Sequence, residues 1–266
     1  MGETTAQFGR ISVERREGVL LIGLDRPEKR NGLTPEMFVA LNEAYTLLED
    51  DDDLLVGILH AHGEHFTGGI DLPRFAAAMA KGGDLPHAPD KVDAFALRGR
   101  PRSKPVIAAV KGICFTAGIE LMLAADIVVA GSDCRFAQIE PKRGIMATGG
   151  ATFRFVERAG WGNAMRWLLT GSEFGAEEAR RIGFVQEIVP AAEVLDRALA
   201  IAGEITDKAP LAVRATRGSA LTYATEGQAA AIAAFGAVQQ RLATSADARE
   251  GVQSFIEKRP PRFTGR

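Results

Sequence analysis

Apolar residues in this chain come in short blocks, and their spacing within each block tells strand from helix. "GVLLIGLDRP" (18–27) is an apolar run closed by a polar turn and Pro27, which predicts a strand. "TPEMFVALNEAYTLLED" (34–50) sets Met37, Leu41, Ala44, Leu47 and Leu48 at helical spacing. Thr34 can cap that helix, and Pro35 suits its first position. "LLVGILHAHG" (54–63) reads as a second buried strand. Strand, helix and strand in that order predict a crossover unit with parallel strands.

Residues 73–104 break the pattern with Gly82, Gly83, Pro86, Pro89 and Pro101 among helix-like pieces. They are expected to form a mobile surface segment over a site, with Phe75, Met79, Phe95 and Leu97 as lining. "KPVIAAVKG" (104–112) predicts a strand, "IELMLAADIVVAG" (119–131) a helix running into a strand, and "CRFAQIEPKRG" (134–144) a strand and loop. "ATFRFVERAGWGNAMRWLLTG" (151–171) is helical with a glycine break, and "GAEEARRIGFVQEIVP" (175–190) a short helix before a strand. Beyond about Ala191 the periodicity is helical only. The reading is an α/β core over residues 1–200 and a helical part over 201–266.

Composition narrows this little. The 266 residues are 46% hydrophobic and 25% charged, ordinary for a globular protein, and the net charge of −2 points to neither nucleic acid nor an anionic membrane. Cys114 and Cys134 lie in apolar segments, as buried thiols in a reducing, cytoplasmic compartment would. The polar N-terminus shows no secretory signal. The apolar run 106–130 is long enough to span a membrane, but Lys111, Glu120, Asp126 and a small-residue turn favour a buried strand, turn and helix.

Glu120 stands out in that run, because burying an ionised carboxylate is expensive unless it is paired or used. The turn before it would expose helix-start N–H groups, Ala117 among them, that favour an anion. On spacing alone, a glutamate interacting with those amides is the plainer reading. "HFTGGIDL" (65–72) repeats the layout, and the Ile70 N–H would be a second donor. Two such loops could converge at the carboxyl ends of parallel strands. Glu140 precedes Pro141 and is biased towards extended backbone; a surface charge is its plainer reading. Two carboxylates in one apolar cleft would repel, leaving one protonated near neutral pH. His60, His62 and His65 lie close together without a carboxylate or cysteine to complete a metal site, and read as loop residues at the cleft mouth.

"FTGGIDL" followed by "KPVIAAVKGICFTAGIELMLAADIVVA" resembles the enoyl-CoA hydratase/isomerase (crotonase) family. So do "GLDRPEKRNGLT", "RFAQIEPKRGIMATGGA", "LLTGSEFGAEEARRIGFVQEIVP" and the tail "FIEKRPPRFTGR". The resemblance implies a spiral of ββα units whose helical C-terminal region builds a homotrimer or dimer of trimers. It implies an acyl-CoA substrate, no further cofactor and no metal. The oxyanion donors fall on Ile70 and Ala117, and the catalytic carboxylates on Glu120 and Glu140. CoA is expected along Arg26, Lys29 and Arg30, along Gly68, Ile70, Asp71 and Leu72, and at Phe255 and Lys258 from a neighbouring subunit. Both glutamates together favour syn hydration of a trans-2-enoyl-CoA. Isomerisation, other enolate chemistry and non-catalytic acyl-CoA binding are the alternatives. The chain departs from many hydratases in carrying Thr116, Ala117 and Gly118 where they have three glycines.

Overall fold

The computed structural model describes residues 8–82 and 85–266. It opens with a hairpin of β1 (Arg10–Arg16) and β2 (Val19–Asp25), turned by Glu17 and Gly18 at φ 40° and 82°. Helix α1 (Pro35–Asp50) follows, capped as expected by the Thr34 side chain, which accepts from the Met37 N–H. Its buried face includes Met37, Phe38, Leu41, Ala44, Tyr45 and Leu48. Then come β3 (Val56–Ala61), α2 (Leu72–Met79), β4 (Val106–Val110), β5 (Ile113–Phe115), α3 (Ala117–Ala124), β6 (Ile127–Gly131) and β7 (Arg135–Ala137). The rest is α4 (Ala151–Ala159), α5 (Trp161–Thr170), β8 (Phe174–Gly175), α6 (Ala176–Arg181), β9 (Glu187–Val189), α7 (Val194–Thr206), α8 (Pro210–Glu226), α9 (Gln228–Ala243) and α10 (Ala246–Glu257).

Two sheets form. The larger runs β1-β2-β3-β4-β6-β9 and is parallel except for β1. The smaller runs β5-β7-β8, with β5 and β7 parallel. The chain alternates between them. β4 leads through Gly112 into β5 and then α3; β6 leads into β7 and then α4. One turn earlier, β3 leads to a bridge pairing Thr67 with Cys114. Before that, β2 leads to Leu33, bridged to Ile70. Successive turns of a ββα unit thus stack on one another, and the ends of the short second-layer segments fall in register.

Strands β2, β3, β4 and β6 carry apolar residues on both faces because both faces are covered. One face packs into the main core with α1 and the second sheet. The other is covered by α7, through Val194, Ala198, Ile201 and Ala202 against Val56, Ile58 and Ile107. Helix α7 runs through residue 200 and belongs with the sheet it covers. Helix α8 is tied on by Arg217, which binds Asp126 at 2.8 Å and the Arg102 carbonyl at 2.6 Å.

Segment 73–104 differs from expectation. Val92, Ala94 and Phe95 enter the core, where Phe95 stacks on Phe38 at 5.5 Å. Asp93 shapes this stretch by accepting the N–H groups of Phe95, Leu97 and Arg98. The loop is therefore part wall and part core rather than a surface cover.

Candidate active site

The two glycine-bearing turns meet. The Thr67 N–H donates to the Ile113 carbonyl and the Thr67 carbonyl accepts from the Phe115 N–H, both at 3.0 Å, and a Cβ on Gly69 would overlap the Thr116 hydroxyl oxygen. Gly68 donates to the Arg30 carbonyl at 2.8 Å, and Leu33 to Gly69, so the 26–33 turn braces the same loop. The N–H groups of Ile70 and Ala117 make no hydrogen bond among the described residues. Ala117 opens α3, where the first amides lack intrahelical partners. Both residues line one cleft of about 590 Å³. The parallel second-layer segments bring both loops to the same cleft.

Glu120 and Glu140 line the same cleft. Glu120 projects from the first turn of α3 and is buried. Its Oε1 accepts the Ala151 N–H at 3.1 Å. Burial pushes this carboxyl above the ordinary value, while the N–H groups of Ala151 and Gly149 and the Arg154 guanidinium favour its charged form. Gly149 has no room for a side chain: a Cβ there would lie 2.5 Å from Glu120 Oε2.

Glu140 does not lie in extended backbone. It opens a 3-10 turn, Glu140–Arg143, that Gly144 closes in the left-handed region at φ 70°. The Gly144 N–H bonds the Pro141 carbonyl and the Ile145 N–H the Glu140 carbonyl, and these bonds outweigh the pre-proline bias. The turn aims the carboxyl inward rather than at solvent. Oε1 accepts from Gln138 Nε2 at 3.0 Å, and Oε2 has no hydrogen-bond partner among the described residues. Burial first, and the nearby Glu120 second, push its pKa up to about 7. The cleft thus holds two carboxyls that burial pushes upward, and each raises the cost of ionising the other.

The CoA candidates divide. Gly68, Ile70 and Leu72 line the cleft. Arg26 is buried, paired with Asp71 at 2.8 Å and bonded to the Gly32 carbonyl, so it and Asp71 tie the two loops together rather than face solvent. Lys29 and Arg30 are exposed on the bracing turn. Neither Phe255 nor Lys258 lines this chain's own cleft. Phe75 and Met79 do line it, whereas Phe95 lies in the core and Leu97 packs against it. The histidines stand elsewhere. His60 and His62 touch at 5.3 Å, burial first and then His62 push His60 down to about 4, and none of the three lines the cleft. Among the described residues no three His, Cys, Asp or Glu side chains group as metal ligands.

Sequence reading missed Gln138 and Arg154. Gln138 sits in the quoted "FAQIEPKRG", two residues before Glu140, and that spacing was its only signal. Arg154 is buried and donates to the carbonyls of Gly149 (3.2 Å) and Phe95 (2.6 Å), tying the loop that packs on Glu120 to the core stretch around Phe95. Nothing in its local sequence distinguishes it from a surface helix arginine.

Known proteins resemble this chain over nearly its full length. The enoyl-CoA hydratase EchA19 of Mycobacterium tuberculosis is 34% identical, over 96% of each chain. The 2,3-dehydroadipyl-CoA hydratase of Escherichia coli is 33% identical, over 96% of this chain and 99% of its own. A crystal structure of a probable enoyl-CoA hydratase/isomerase from Mycobacterium abscessus superposes with a TM-score of 0.93 at 46% identity, covering 96% of this chain and 98% of that one. An enoyl-CoA hydratase structure from Mycobacterium tuberculosis gives 0.85 at 35% identity, covering 96% and 99%. The model of the enoyl-CoA hydratase/isomerase family matches residues 14–266. On a match of that extent, with the stacked ββα fold beneath it, the chain belongs to the enoyl-CoA hydratase/isomerase family.

Proposed function

We propose that this protein is an enoyl-CoA hydratase that adds water to a trans-2-enoyl-CoA. The observation that carries the reading is one cleft lined by two unbonded amides and two buried carboxyls. The thioester oxygen accepts from the N–H groups of Ile70 and Ala117. Glu120, whose Oε1 accepts the Ala151 N–H, takes a proton from water as the water oxygen bonds to Cβ. The π electrons move onto the thioester oxygen as an enolate, and the amides stabilise that charge. Glu140, protonated below about pH 7, delivers its proton to Cα on the same face. Proton return from Glu120 to Glu140 restores the site. The chemistry as written needs no cofactor beyond the CoA carried by the substrate.

Purified protein is expected to consume enoyl absorbance with a trans-2-enoyl-CoA. Glu120→Gln and Glu140→Gln should each lower kcat by about two orders of magnitude or more. Undiminished rates in the double variant sink the assignment, and conversion of a 3-enoyl-CoA without incorporation of water identifies isomerisation instead.

Helices α8 to α10 leave Tyr223, Ile232, Phe235, Val252, Phe255 and Ile256 exposed, which supports self-association as a homotrimer or dimer of trimers. Exposed Lys29 and Arg30 are suited to the phosphates of CoA. Among the described residues no helix is long and apolar enough to cross a membrane. Two buried free thiols, Cys114 and Cys134, fit the reducing cytoplasm.

A further inference from the structure

Thr116 holds a backbone conformation that threonine avoids, at φ 49° and ψ −116°. Such strain costs about 1–3 kcal/mol, and glycine would avoid it. The surroundings show what the side chain does there. Thr116 lines the cleft next to Ala117. It is also packed against Gly69, the residue before Ile70, whose missing Cβ would overlap the Thr116 hydroxyl oxygen. The hydroxyl is thus carried by the residue before Ala117 and packs against the residue before Ile70. It makes no hydrogen bond of its own among the described residues. The Thr116 backbone, in contrast, is fully engaged: its N–H donates to the Ala137 carbonyl at 3.0 Å, and its carbonyl accepts from Ile119 at 2.9 Å and Glu120 at 3.2 Å. Those bonds fix the residue and hold the hydroxyl at the junction of the two loops.

We propose that the Thr116 hydroxyl is a third donor to the thioester oxygen, completing a three-point oxyanion site with the N–H groups of Ile70 and Ala117. The inference rests on the acyl-CoA reading above. No covalent bond changes at Thr116. Its O–H donates a hydrogen bond that strengthens as negative charge builds on the carbonyl oxygen.

Three variants of the full chain test it. Thr116→Ser keeps the hydroxyl, Thr116→Val keeps the shape, and Thr116→Gly removes the side chain together with the strain and so folds. With a trans-2-enoyl-CoA, Thr116→Gly and Thr116→Val should lose about 10- to 1000-fold in kcat/KM, the range for a missing oxyanion donor, while Thr116→Ser stays within about 5-fold. A second readout needs no turnover: the ionisation of a bound 3-ketoacyl-CoA, followed by its enolate absorbance. Its apparent pKa should rise by about one unit or more in Thr116→Gly, a tenfold or larger loss of enolate stabilisation. A wild-type protein that binds this ligand but hydrates no enoyl-CoA overturns the hydratase reading and still leaves the titration to judge Thr116. Wild-type kcat/KM in Thr116→Gly, or an unshifted pKa for the bound ligand, overturns the proposal.

Discussion

In the proposed mechanism, Glu140 couples catalysis and stability through one proton. As the acid it must be protonated, so kcat/KM should fall as pH rises through about 7, and a pH–rate profile of the wild type should show that limb. The same shift acts on folding. The buried carboxyl keeps its proton up to about 7, whereas the unfolded chain releases it near 4.5. Native protein thus binds the extra proton between those values, and stability falls as pH rises through that window. Glu140→Gln should stabilise the protein at pH 8 by on the order of 3 kcal/mol and give no such gain at pH 4, read by denaturant unfolding at both values. Gly149→Ala tests Glu120 in turn. Its methyl would press on Glu120 Oε2, so kcat should drop about tenfold or more while the far-UV spectrum is unchanged. Glu120 was legible in the sequence because a charge amid apolar residues demands a reason. Gln138 and Arg154 were not, since their partners, Glu140 and the Gly149 and Phe95 carbonyls, meet them only through the fold.

Elements differed in how plainly the chain announced them. α1, β3 and β4 were visible because burial of a long face imposes a period. β1 was not: its residues are mostly exposed on a sheet edge, so it carries no apolar rhythm. β7 was legible within "CRFAQIEPKRG", but β5 and β8 span only three and two residues, too few to establish any period. Their place is set by the bends between layers. At Gly112 the chain leaves β4 for β5 with φ 57°, and a Cβ there would overlap the Glu64 carbonyl oxygen. Gly112→Ala should cost about 2 kcal/mol or more, because a backbone atom cannot swing aside as a side chain can. Thermal unfolding of the variant measures that loss. The 3-10 turn at Glu140–Arg143 shows the opposite limit, where a local proline rule yields to the hydrogen bonds that close on Gly144 and Ile145.

At the scale of the whole molecule, the exposed apolar side chains of α8 to α10 point to association between copies. Replacing Ile232 and Phe235 together with Asp should shift the sedimenting species towards the single chain, because charge is costly in a buried apolar interface. An unchanged mass would remove these helices from the interface. The change from α/β to helix was legible as a change of period, but the docking of α8 was not. The bonds from Arg217 to Asp126 and the Arg102 carbonyl join residues 91 and 115 positions apart.

The last helix has a consequence for kinetics. Phe255 is 84% exposed and, with Lys258, stands apart from the cleft of its own chain. If those side chains cover the adenine end of a nucleotide thioester held next door, each site is completed by a neighbour. Turnover per chain would then decline on dilution, as sites lose their borrowed walls before any single chain unfolds.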